Sequence, residues 1–189
     1  MAYRAPKLVP PLTADDHILG SAEDSVLLLE YGDYQCPYCK EIQPVIAKLK
    51  KLFGKRLALA YRHFPFSEAH PQAFGAAVAA EAAAKQNKFW AMHKKIYAGR
   101  QNAVVLGNAG LERIARECKL NMKKFRQGCG SSECFEAVKK DFNSGIKSGV
   151  NGTPTFYING RRYDGEHKFQ AMAEAIQAAA EYLQNIKRK

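Results

Sequence analysis

The sequence predicts an α/β fold in which one sheet is assembled from both ends of the chain around an inserted helical block. Three observations predict it. A strand-length apolar run, Val26–Tyr31, is followed by a helical stretch and then by a second such run, Leu57–Phe64, the order of a βαβ unit. A long region of helical periodicity then intervenes, with no strand signal. Near the end a third strand, Thr155–Ile158, meets Asn159-Gly160, a hairpin signal, and returns through Arg161-Arg162-Tyr163. Neither outer piece carries enough strands for a sheet of its own, so one shared sheet is the economical arrangement.

The chain has 189 residues, 47% hydrophobic and 25% charged, which suits one globular domain or a domain with a sizeable insertion and excludes disorder throughout. No apolar run approaches the roughly 20 residues of a membrane-spanning helix. Residues 1–20 read as an extended lead-in, because Pro6, Pro10 and Pro11 deny helix and Thr13–Asp16 favours a turn. Val26–Tyr31 lacks alternation, the habit of a strand covered on both faces. From Pro37 to Phe53 the apolar positions Ile42, Val45, Ile46, Leu49 and Leu52-Phe53 recur at helical spacing, and Gly54 supplies the stop. Helices are then expected over the Ala-rich stretch Pro71–Gln86, around Phe89–Tyr97, over Leu111–Leu120 and over Cys134–Ser148. A closing helix carries Phe169, Met172, Ala173, Ile176, Ala180 and Leu183 on one face. There is no internal repeat.

Lys plus Arg number 29 against 18 Asp plus Glu, a net charge of +11. Such a field attracts nucleic acid, anionic lipid or acidic partners. The basic residues are dispersed in pairs such as Lys50-Lys51, Lys94-Lys95 and Lys139-Lys140, with a Lys187-Arg188-Lys189 tail, and no aromatic-interleaved basic stretch marks a single-strand platform. A solvated basic surface is expected ahead of a specific nucleic-acid site.

The most specific feature is Cys36-Pro37-Tyr38-Cys39, a C-x-x-C placed where a strand and its loop run into a helix. If Pro37 is the first helical residue, Cys36 is the cap and Cys39 sits one turn later on the same face, so the two sulfurs can close a small disulfide ring. The positive end of the helix dipole stabilises a thiolate on Cys36. Cys36 is therefore the expected nucleophile, forming a mixed disulfide that Cys39 resolves. Zinc binding is the weaker alternative, since zinc needs four ligands and none of the histidines at 17, 63, 70, 93 and 167 shows ligand spacing to another or to the pair. An inert buried pair is the other. Glu30, six residues before Cys36, either stays buried in its strand and relays a proton to Cys39 or ends the strand and points into water. His63 reads as a strand or loop residue rather than a base. Cys118, Cys129 and Cys134 leave two readings open, a structural disulfide at Cys129 or plain buried thiols.

From Asp16 onward the chain resembles the DsbA-like branch of the thioredoxin superfamily of thiol-disulfide oxidoreductases, bacterial proteins that occur alone or as fused domains. The resemblance rests on Leu29-Glu30-Tyr31-Gly32-Asp33-Tyr34-Gln35-Cys36-Pro37-Tyr38-Cys39, Tyr61-Arg62-His63-Phe64-Pro65, His70-Pro71-Gln72-Ala73, Phe89-Trp90-Ala91-Met92-His93 and Gly149 through Gly160. It implies a thioredoxin fold, residues 21–66 and 149–189, with a helical insertion domain over 67–148. It also implies a helix-kinking role for Pro44 and a cis Thr153-Pro154 peptide facing the cysteine pair, with the Thr153 backbone turned outward to bind an extended substrate segment. Pro37, Tyr38 and Glu30 would tune the active site. Tyr38 stands where strongly oxidising members carry histidine, so a reduction potential less extreme than about −120 mV is expected.

The activity so implied is disulfide exchange with protein substrates, with disulfide formation the family default. Reductase or isomerase work in the cytosol and a non-catalytic binding module of the same fold are the alternatives. No metal, nucleotide or flavin cofactor is implied. The expected partners are protein thiols or disulfides and a redox partner protein or glutathione. The first 20 residues do not read as a secretory signal, which points to the cytoplasm, or to the periplasm if a signal was removed.

Overall fold

The computed structural model describes residues 6–23, 25–99 and 106–187. The first five residues of the lead-in, the residues at 100–105 within the helical block and the Arg188-Lys189 end of the basic tail lie outside the described residues. The described chain carries strands β1 (His17–Leu19), β2 (Val26–Gly32), β3 (Leu57–His63), β4 (Thr155–Ile158) and β5 (Arg161–Tyr163). Its helices are α1 (Pro37–Phe53), α2 (Ala73–Ala84), α3 (Phe89–Ala98), α4 (Asn108–Glu117), α5 (Met122–Cys129), α6 (Ser132–Ser148) and α7 (Phe169–Lys187).

The five strands form one mixed sheet in the order β1-β3-β2-β4-β5, so both ends of the chain contribute to it as the sequence predicts. The pairs β1/β3, β2/β4 and β4/β5 are antiparallel. The inner strands β3 and β4 are buried at every position and β2 at all but Leu27, which explains their largely apolar runs without alternation, interrupted by Glu30 in β2 and by Arg62 and His63 in β3. The edge strands are three residues long and partly exposed, a length that discourages pairing with another chain. At the hairpin, Asn159 and Gly160 take φ of 48° and 75°, the left-handed pair of a type I′ turn. Asn159 also ties the turn to β2: its N–H donates to the Leu27 carbonyl and its Oδ1 accepts the Leu27 N–H, both at 2.9 Å.

The lead-in is more ordered than three prolines suggest. The Leu8 N–H donates to the Gly160 carbonyl at 2.9 Å, the Arg162 N–H donates to Pro6 at 3.0 Å, and His17–Leu19 pairs with β3. The buried guanidinium of Arg62 on β3 fixes the rest. It makes a bidentate pair with Asp16 at 2.6 and 3.1 Å and donates to the Pro10 and Pro11 carbonyls and the Tyr31 hydroxyl. The Val9-Pro10 peptide is cis.

The chain divides into two compact units. One comprises Met1–Tyr31, Glu41–Arg62 and Ser144–Lys189 and holds most of the sheet; the other comprises Gly32–Lys40 and His63–Asn143. In the second unit the Ala-rich α2 is buried over most of its length, which lets helices approach closely. Gly128 of α5 shows how closely: a Cβ there would lie 2.8 Å from the Ala82 Cβ. Helix α5 is not among the helices expected from the sequence, although Asn121 caps it, its Oδ1 accepting the Lys124 N–H at 3.0 Å.

Candidate active site at the head of helix α1

Pro37 opens α1, where a residue without an N–H costs no hydrogen bond, and Cys36 takes the capping position before it. The Cys36 carbonyl accepts the first helical bond, from the Lys40 N–H at 3.3 Å. Cys36 and Cys39 are both buried, while Tyr38 between them is 68% exposed. Four side chains of the sequence-derived site, Cys36, Pro37, Tyr38 and Cys39, thus stand together on one helical turn in the second unit. Lys40 follows, its ammonium donating to the Gly99 carbonyl at the end of α3.

The turn into α1 is built on Asp33. Its backbone N–H donates to Cys39 Sγ at 3.5 Å, and its carbonyl accepts the Cys36 N–H. Its fully buried carboxylate accepts four N–H groups: Gln35 at 2.7 Å and Cys36 at 3.2 Å on Oδ1, Phe66 at 2.9 Å and His70 Nδ1 at 2.8 Å on Oδ2. The Tyr97 hydroxyl donates to the Asp33 carbonyl. Tyr34 beside it is wedged among aromatic rings, 5.0 Å from Tyr97 and 5.6 Å from His93, with its hydroxyl 3.1 Å from His93 Nδ1. Asp33 and His70 fall within the sequence motifs, where neither position by itself signals a role. Nothing local signals the pair, whose partners stand 37 residues apart.

Glu30, Thr153 and Pro154 belong to the first unit. Glu30 neither ends its strand nor points into water: it is buried within β2 opposite Phe156, and Gln43 Nε2 of α1 approaches its carboxyl oxygens at 3.3 and 3.2 Å. No spacing in the sequence points to Gln43. The Thr153-Pro154 peptide is cis and leads directly into β4, whose Thr155 pairs with Tyr31 of β2. His63 ends β3 and meets Glu81 through Nε2 at 2.8 Å. The other three cysteines carry free thiols. Burial pushes the Cys129 thiol up to about 11, helped by neighbouring Cys134 and Glu112, and burial likewise raises Cys118.

Residues 12–178 match the family model described as Thioredoxin. The chain belongs to the thioredoxin family. Its fold is thioredoxin-like: the solved structure of a thioredoxin-like oxidoreductase from Silicibacter pomeroyi superposes with a TM-score of 0.75 at 26% identity, covering 92% of this chain and 94% of that one. BdbD from Bacillus subtilis superposes with a TM-score of 0.78 at 20% identity, covering 94% and 98%, a likeness of fold. Among curated proteins, this thioredoxin-family chain is 35% identical over 173 residues to one named Na(+)/H(+) antiporter NhaA 3 from Salinispora tropica. That match covers 91% of this chain and 26% of the relative, so the chain spans about a quarter of the length of that protein. No helix among the described residues is long and apolar enough to cross a membrane.

Proposed function

We propose that this thioredoxin-family chain is a protein thiol-disulfide oxidoreductase whose main work is forming disulfides in protein substrates. The observation that carries the reading is the C-x-x-C at the first turn of α1, with Cys36 on the cap and the Cys39 sulfur taking a backbone N–H. In the oxidising direction a substrate thiolate attacks Cys36 Sγ of the enzyme disulfide, a substrate–Cys36 bond forms, and Cys39 leaves as thiolate. A second substrate thiolate then displaces Cys36, so the substrate loses two electrons and the enzyme ends as a dithiol. The dipole and backbone N–H groups at the start of a helix favour the thiolate on Cys36. Pro37, Tyr38 and Glu30 tune the pair in this proposal, and Thr153 and Pro154 bind the substrate segment.

The match to part of a protein named as an antiporter favours one specific setting, a redox domain carried beside a membrane transporter with proteins of that compartment as substrates. One experiment addresses both. A Cys39→Ser variant expressed in the native host should accumulate proteins joined to Cys36 by reducible bonds, and their identities report substrate, partner and compartment. A Cys39→Ser variant with no adducts, together with a wild type inert in insulin reduction by dithiothreitol, would leave a non-catalytic module of the same fold.

A further inference from the structure

We propose that Asp33, clamped by His70, is a positioning residue for the resolving step, aiming its own backbone N–H at the sulfur of Cys39. The inference rests on the oxidoreductase reading and adds to it a group that touches neither the substrate nor the sulfur through its side chain.

A hydrogen bond to sulfur steadies the thiolate more than the thiol, because the charged form is the better acceptor. Cys39 must be a thiolate twice: as the nucleophile that displaces substrate from Cys36, and as the leaving group in reverse. Its donor is the Asp33 N–H at 3.5 Å. That N–H belongs to a loop, and a loop donor is useful only if its peptide plane is held. The Asp33 carboxylate holds it by joining two segments. Oδ1 takes the N–H groups of Gln35 and Cys36 on the active-site turn, and Oδ2 takes the Phe66 N–H and the His70 imidazole from the loop after β3. That loop is itself closed, the His70 N–H donating to the Phe66 carbonyl at 2.7 Å, so Phe66 and His70 present their donors from one turn. Gln35 adds a second tie, its Oε1 accepting the Gln72 N–H at 2.8 Å. The carboxylate is fully buried and His70 only partly so.

Capture and resolution place different demands on this clamp. When reduced enzyme meets an aromatic disulfide that releases a coloured thiolate, the first release reports attack by Cys36: a Cys36–reagent bond forms and one thiolate departs. The second reports attack by Cys39 on Cys36 Sγ, which closes the Cys36–Cys39 disulfide and expels the second thiolate, the reagent gaining two electrons in all. In stopped flow, Asp33→Ala should slow the second release by about tenfold or more, the size of one lost hydrogen bond to a charged group. The first release should change by less than threefold. Asp33→Asn, whose amide oxygen can still take the Gln35 and Cys36 donors, should recover most of the second rate. His70→Ala, altering a partly exposed side chain, should slow the second release alone by about threefold and keeps the test available if Asp33→Ala does not fold. A merely structural role would slow both releases together or neither. An active wild type whose second release is unchanged in Asp33→Ala, or in His70→Ala where the former is not obtained, overturns this inference and leaves the enzyme reading intact. A wild type that releases no thiolate overturns both.

Discussion

At the scale of single residues, the five cysteines have the same chemistry and different surroundings, and reactivity should follow the surroundings. Cys36 caps a helix, where backbone N–H groups stabilise negative charge. Cys129 is held at about 11 by burial and by neighbouring Cys134 and Glu112, and Cys118 is raised by burial. A raised value keeps the thiol protonated at neutral pH, so the alkylation rate of Cys129 should climb roughly tenfold per pH unit from 7 until it levels near 11. In the reduced protein, iodoacetamide at pH 7 should therefore mark Cys36 well before Cys118 or Cys129, a ranking that peptide mass spectrometry reads directly. Equal labelling of Cys36 and Cys129 at pH 7 would count against an activated nucleophile. This part of the site is legible in sequence because the C-x-x-C, the proline after Cys36 and the helical periodicity are all local. Asp33, His70 and Gln43 are not, since each matters through a partner 13 to 37 residues away that no spacing rule connects.

Among the elements, the inner strands are legible because burial on both faces leaves largely apolar runs without alternation, and the Asn159-Gly160 turn because its two left-handed residues admit few alternatives. The lead-in is not, because it is ordered by Arg62, a residue more than forty positions away whose charge suggests surface rather than core. Burial alone would lower the Arg62 pKa, but its hydrogen bonds to Asp16 and Tyr31 outweigh that effect and raise it. Replacing Arg62 by Ala takes the guanidinium from the buried Asp16 carboxylate and from two proline carbonyls, leaving Asp16 with the Thr13 N–H and the Tyr31 hydroxyl with Ser144 Oγ. Removing one partner of a buried pair costs about 3 to 5 kcal/mol. Urea denaturation of Arg62→Ala should show a loss of that size with the slope unchanged, while Asp16→Asn, which keeps a neutral acceptor, should lose less. A loss under about 1 kcal/mol, the worth of an exposed pair, would mean that the network does not hold β1 and the lead-in.

For the whole molecule the dominant quantity is charge. The net +11 is spread over dispersed lysines and arginines, and many of the acidic partners are already neutralised in exposed pairs such as Glu112 with Arg126 and Glu117 with Lys95. A net positive charge of this size acts on every substrate that approaches. Electrostatic steering raises association rates by about 10-fold or more when the charges are opposite. An acidic peptide carrying one disulfide should therefore exchange with this protein about tenfold faster than a basic peptide of the same length in low salt. Near 1 M salt, where the screening length falls to about 3 Å, the two rates should converge. Such convergence assigns the preference to the long-range field. If the preference survives high salt, it comes instead from side chains touching the substrate, with the exposed Tyr38 the first to vary.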